Sequence, residues 1–278
     1  IGGRGTTVDA CGAAASAAAS RVASVAEFSD SAAGAPAAGG AEAARGAWNR
    51  APTVATVSDP ELGWRFRANA SGKRGDHAIA VLGGKVYVFG GWDGSTTQNT
   101  TLRYDPATDT WGSGAPMPTA RSLARSVVVG TTVYVIGGGT AGGTDTAVVE
   151  AYQPTTDSWT TGLAPMPTAR RIFGAAAVGT TIYAMGGIQG PGTGPTYLAT
   201  VEAYNTATNS WTTLAALPVA RGDISAAVVG GNMYVAGGTP AFGQDSARVD
   251  RYDPVTNTWA EVAALPSVRR AVELVVVR

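Results

Sequence analysis

The chain has 278 residues, 45% of them hydrophobic and 14% charged, with twenty Lys and Arg against twenty Asp and Glu. That neutral balance supplies no overall field toward nucleic acid or an anionic membrane. One cysteine, Cys11, and one histidine, His77, argue against a disulfide framework, a zinc cluster and the usual Cys–His or Ser–His–Asp constellations.

Residues 1–52 are dominated by Ala and Gly with scattered Ser; Val22, Val25 and Phe28 are too few to form an apolar stripe, so the segment reads as a low-complexity, disordered lead. No window reaches the roughly 18 consecutive apolar residues of a spanning helix. The first residue is Ile1 rather than methionine, so the chain reads as processed or as part of a longer one.

From about residue 53 the composition changes and a period near 48 residues emerges. A Gly-Gly pair recurs at Gly90-Gly91, Gly137-Gly138, Gly186-Gly187 and Gly237-Gly238, preceded by Tyr87, Tyr134, Tyr183 and Tyr234. A second tyrosine follows at Tyr104, Tyr152, Tyr204 and Tyr252, with Trp111, Trp159, Trp211 and Trp259 seven residues beyond. Arg74, Arg121, Arg170 and Arg221 each stand sixteen residues before a Gly-Gly, and Arg269 continues the series.

Each period predicts four short antiparallel strands. In the second, SLARSVVVG, VYVIGG, TAVVEAY and SWTTG are separated by turns or loops rich in Gly, Thr, Pro and Asp. A single such sheet cannot bury both faces, so neighbouring sheets must cover it. The phased Gly-Gly, Tyr and Trp markers resemble the kelch family over residues 53–278. The resemblance implies an all-β, kelch-type β-propeller: half a blade at 53–70, complete blades at about 71–118, 119–167, 168–218 and 219–266, and the first strand of another at 267–278. Either the N-terminal half blade pairs with the C-terminal strand to close a small ring, although the second strand of that blade is absent, or the chain is part of a six- or seven-bladed propeller, as the resemblance implies. The second is expected.

Strand alternation places the second-to-third loops and the links between blades on one face. The loops there vary: 92–101, 139–146, 188–200 and 239–247. That face is therefore the expected binding surface. Arg74, Arg121, Arg170, Arg221 and Arg269 begin the innermost strands, and the resemblance implies a ring at the channel mouth that contacts acidic partners. The competing reading is that each guanidinium bonds backbone carbonyls or an adjacent acid and holds blades together.

Arg125, Arg171, Arg270 and Glu273 break the repeat and are the better site candidates. His77 aligns with Ala124, Phe173, Ile224 and Val272 and reads as a satisfied core residue. Glu150, Glu202 and Asp250, two residues before the blade tyrosines, read as decorating an exposed strand face. The expected function is a monomeric, non-catalytic module that takes a protein or carbohydrate partner, possibly an acidic one, with no cofactor or metal and no nucleic acid. The alternative is a sugar mutarotase of the sialic-acid type, with Glu273 and neighbouring arginines in the channel. Scarce Lys with abundant Ala, Gly and Thr points to a secreted or surface protein of a GC-rich bacterium.

Overall fold

In a computed structural model, residues 67–190, 194–274 and 276 are described. They form four four-stranded antiparallel sheets and one short hairpin, with no α-helix among them. The first sheet is β1 (Ala78–Leu82), β2 (Lys85–Phe89), β3 (Thr101–Asp105) and β4 (Thr110–Gly114). The second is β5 (Arg125–Val129), β6 (Thr132–Ile136), β7 (Val149–Gln153) and β8 (Ser158–Thr160). In the third, β9 (Gly174–Val178) and β10 (Thr181–Met185) pair with β13 (Val201–Asn205) and β14 (Ser210–Leu214). Between them β11 (Ile188–Gln189) and β12 (Thr196–Tyr197) make a separate hairpin. The fourth is β15 (Ser225–Val229), β16 (Asn232–Ala236), β17 (Val249–Asp253) and β18 (Thr258–Val262).

Local chemistry sets the strand breaks. Each first-to-second turn opens on a glycine at positive φ, Gly83, Gly130, Gly179 or Gly230, as a tight hairpin requires. Each third-to-fourth turn holds Asp109, Asp157, Asn209 or Asn257 at φ between 48° and 56°, residues whose short polar side chains tolerate the left-handed region.

The first strands adjoin one another, β1 beside β5, β5 beside β9 and β9 beside β15, so the sheets are the blades of a propeller. Each interface has its own apolar cluster. Tyr87, Phe89 and Met117 meet Val133, Val135 and Tyr152; the next two interfaces repeat the scheme around Phe173 and Tyr204 and around Ile224 and Tyr252. The first tyrosine of one blade meets the second tyrosine of the next at 5.9 Å, 6.1 Å and 6.1 Å between ring centroids. These aromatic contacts add to the area buried.

The Gly-Gly pairs are where blades touch most closely. A Cβ on Gly137 would lie 2.7 Å from the Arg170 carbonyl of the next blade, and one on Gly138 would lie 2.5 Å from the Ser122 carbonyl of its own. Both glycines have positive φ, so side chains are excluded by strain as well as space.

The expected half blade lies mostly outside the described residues, and 67–70 carry no strand. Residues 267–274 follow the entry path of a blade, with Ala271 N–H bonded to Asp223 O at 3.0 Å, but form no strand. A strand there would need a second strand to complete its ladder, and none is present among the described residues.

Candidate functional site

The five repeat arginines do not form one ring. Arg121, Arg170 and Arg221 have no exposed surface and lie inside the blades. Arg121 donates to Val148 O at 2.9 Å and Val135 O at 3.1 Å; Arg170 donates to Gly186 O at 3.0 Å and Thr200 O at 2.8 Å. Arg221 donates to Gly237 O at 3.1 Å. Each also meets a carboxylate at 2.7 Å: Glu150, Glu202 and Asp250 respectively. Those acids are themselves buried, which corrects the reading that they decorate an exposed strand face. The third strands of the second and third blades are covered on both sides by neighbouring blades, and in all three cases a charge without exposed surface requires a partner.

The carboxylates' second oxygens are also used. Thr119 donates to Glu150 at 2.6 Å and Thr168 to Glu202 at 2.7 Å. Val219 occupies the threonine position in the fourth blade, and Arg248 reaches the free oxygen of Asp250 instead, at 2.8 Å. Arg74 is only partly buried and Arg269 is exposed, so three of the five guanidiniums are interior links while two retain access to solvent.

A different set of residues surrounds the channel. Asp76, Leu123, Ile172, Asp223 and Ala271, two positions after each repeat arginine, have φ between 45° and 57°. Their backbones form a circumferential ladder: Leu123 N donates to Asp76 O, Ile172 N to Leu123 O, Asp223 N to Ile172 O and Ala271 N to Asp223 O, at 2.7–3.2 Å. Two residues further on lies a layer of Ala78, Arg125, Gly174, Ser225 and Glu273. Small residues dominate it, leaving room for Arg125 to reach across to Phe173 O at 2.6 Å and Ile224 O at 3.0 Å in the third and fourth blades.

Charge gathers at this mouth. Burial pushes the Asp223 carboxyl up, while Arg270 and Arg125 pull it down. Partial desolvation also raises Glu273, against Arg125, although the residue keeps exposed surface. Burial, then the Asp223 charge, raises the Tyr197 phenol on β12. Arg270 lies 3.9 Å from Asp245 in the loop 239–247, whose Phe242 is 85% exposed. Arg171 pairs with Asp145 and donates to Gly190 O at 2.9 Å, while Asp145 accepts from Gly190 N at 2.6 Å, so two variable loops are tied together.

His77 is largely buried, as its apolar register suggests, but its Nδ1 has no hydrogen-bond partner. Burial, then the Arg74 charge, lowers it to about 4. Arg125, Arg171, Arg270 and Glu273, singled out as repeat-breaking, do fall on the channel or loop face. Asp76, Asp223 and Tyr197 were missed; the signal for the first two was their place in the register, two after each arginine, where an acid alternates with Leu, Ile and Ala. Among the described residues no group of three or more His, Cys, Asp and Glu is placed to hold a metal ion, and no helix is long and apolar enough to cross a membrane.

Comparison with known proteins agrees with this architecture. The KLHDC2/KLHL20/DRC7 Kelch-repeats domain matches residues 39–187 and 76–278. The chain is 30% identical over 179 residues to the Kelch-like protein terF of Aspergillus terreus, covering 59% of this chain and 39% of that one. It is 34% identical over 96 residues to Kelch-like protein 35 of Mus musculus, covering 34% and 17%. It thus spans well under half of these curated relatives. The solved structure of YjhT superposes with a TM-score of 0.60 at 18% identity, over 70% of this chain and 66% of that one, a likeness of fold. The chain belongs to the kelch-repeat family.

Proposed function

We propose that the chain is an interaction module that presents loops 92–101, 139–146, 188–200 and 239–247, with the channel mouth between them, to a protein or carbohydrate partner. The observation that carries this reading is the division of polar residues. The repeating arginines of three blades are spent on interior links, whereas the repeat-breaking Arg125, Arg171, Arg270, Asp223 and Glu273 gather on one face beside the exposed Phe242. Rigid blades carrying tied loops with an exposed aromatic suit recognition.

The immobilised chain can be panned with displayed peptides and a glycan array. Selected ligands should bind about tenfold more weakly to Arg270→Glu and Phe242→Ser. They should bind normally to Lys85→Ala, at the turn face. Ligands indifferent to both loop-face changes would overturn the reading.

A second reading has one observation in its favour: two carboxyls, the part-buried Asp223 and the more exposed Glu273, are both pushed up by desolvation in the field of Arg125, the direction of tuning that general acids and bases need. Channel mutarotation of a sugar acid would then show as accelerated anomeric exchange of N-acetylneuraminate by NMR, lost in Glu273→Gln. No acceleration removes it.

A further inference from the structure

Each complete blade carries a three-part cluster at its outer edge, and the chemistry of that cluster divides the first two blades from the last two. A buried tyrosine leans on a half-buried tryptophan: Tyr104 on Trp111, Tyr152 on Trp159 and Tyr204 on Trp211 at 5.1 Å between ring centroids, and Tyr252 on Trp259 at 4.8 Å. Each phenol donates to a residue of the third-to-fourth turn. The acceptors are the Asp109 and Asp157 carboxylates at 2.6 Å and the Asn209 and Asn257 amide oxygens at 2.7 Å. Each indole N–H is held by a backbone carbonyl, that of Ala68, Ala115, Ala164 or Ala215.

As an architectural contact the two versions are equivalent, since Asp and Asn accept the same phenol. As redox chemistry they differ. Indole and phenol rings give up single electrons readily, and a phenol that has lost an electron becomes a strong acid, so its oxidation depends on where the proton can go. A carboxylate within hydrogen-bond reach takes it; a neutral amide oxygen is far too weak a base. Hydrogen bonds from Tyr104 and then the Ala68 amide hold Asp109 below its ordinary value, and Tyr152 and Ala115 do the same for Asp157, so both carboxyls are ionised at neutral pH.

We propose that Trp111–Tyr104–Asp109 and Trp159–Tyr152–Asp157 are one-electron donor sites that quench small radical oxidants arriving at the outer edge of the blades. The half-buried indole is the point of entry. The oxidant takes one electron from Trp159 and is itself reduced by one; Tyr152 then returns an electron to the indole while its phenolic proton passes to Asp157 Oδ1. The products are a neutral tyrosyl radical, a protonated Asp157 and an intact Trp159, whose own proton has stayed on Nε1 against Ala115 O. In the third and fourth blades the rings stand at the same spacing without a base, so a hole on Trp211 or Trp259 stays on the indole. This activity is independent of the loop-face reading.

Pulse radiolysis of the full chain in azide solution supplies azidyl radicals as the one-electron oxidant, and tryptophanyl and tyrosyl radicals are followed by their separate optical bands. In the wild type, tryptophanyl absorption should decay into tyrosyl absorption at a rate independent of protein concentration. Asp109→Asn combined with Asp157→Asn gives the first two blades the amides that the other two already carry, and should slow this phase by about tenfold or more. Adding Asn257→Asp to that variant should restore it. An unchanged rate in the double variant would overturn the proposal, as would a wild type whose tryptophanyl signal fades without tyrosyl growth. Should the double variant fail to fold, the wild-type rate in light and heavy water decides: a slower rate in heavy water supports the coupled proton step, and equal rates overturn it.

Discussion

At Arg170 a full positive charge has no exposed surface and is held by three carbonyls and the Glu202 carboxylate. Removing the acid's charge while keeping its shape leaves that charge uncompensated, and breaking such a buried pair typically costs about 3 kcal/mol or more. Glu202→Gln should lower the urea midpoint accordingly, and an unchanged midpoint would show that water reaches the guanidinium. The recurrence of the arginines was plain in the sequence, but their direction was not. Period and spacing mark a position without saying whether its side chain faces the channel or the neighbouring sheet, and the acid partners lie 29 to 32 residues away, at buried positions of a third strand. His77 offers a cleaner titration, because the chain contains one histidine. Its folded value of about 4 lies below its ordinary 6.5, so the unfolded chain takes up the proton first as pH falls. Stability should therefore decline between pH 6.5 and 4, by up to about 3 kcal/mol at roughly 1.36 kcal/mol per pH unit. His77→Ala, which adopts the residue of the second blade, should flatten that decline in urea melts; an identical slope would mean the imidazole stays hydrated.

The third-to-fourth turn is an element whose function was hidden in its chemistry. Asp157 Oδ1 accepts from the Tyr152 hydroxyl at 2.6 Å and from Ala115 N of the preceding link at 2.7 Å, while Trp159 Nε1 donates to Ala115 O at 2.8 Å. The same grip joins Asp109 and Trp111 to Ala68, Asn209 and Trp211 to Ala164, and Asn257 and Trp259 to Ala215. Thus the phased tryptophan, recognisable in sequence as a core residue, also hooks one blade to the link before it. The Tyr152 hydrogen bond, then the Ala115 amide, holds Asp157 below its ordinary value, and Asp109 is held down in the same way by Tyr104 and Ala68. A depressed carboxyl contributes its stability above its unfolded value and loses it as pH falls through the folded one. The first two grips should therefore loosen in acid below about pH 3.8, whereas the Asn209 and Asn257 grips, which do not titrate, should persist. Indole N–H exchange should accelerate at Trp111 and Trp159 before Trp211 and Trp259; simultaneous loss would contradict it. The β11–β12 hairpin escaped sequence reading because two-residue strands around a Gly-Pro-rich loop carry no periodicity to detect.

Across the whole molecule, a repeat protein in which each unit touches only its neighbours behaves as a one-dimensional array, stable by nearest-neighbour terms alone. Most links here obey that rule: the aromatic pairs, the Asx–Trp grips and the left-handed ladder all join adjacent blades. Arg125 does not. From the second blade it reaches both Phe173 O of the third and Ile224 O of the fourth, 99 residues away, because Ala78, Gly174 and Ser225 leave the axis open where it alone among the complete blades has a long side chain. That substitution within the register was visible in sequence, but its span depends on how far apart the blades stand, which no single repeat encodes. Arg125→Met keeps much of the length and removes the donors. Two charge-assisted bonds in a partly buried setting make a loss of about 2 kcal/mol the expected scale. Its signature should be loss of coupling. Destabilising changes in the second and fourth blades, non-additive in the wild-type background, should become additive once Arg125 is gone, as measured by a double-mutant cycle in denaturant. If those blades are already independent with Arg125 present, the arginine fills the channel without joining its walls, and its guanidinium is then free to serve whatever enters the mouth beside Asp223 and Glu273.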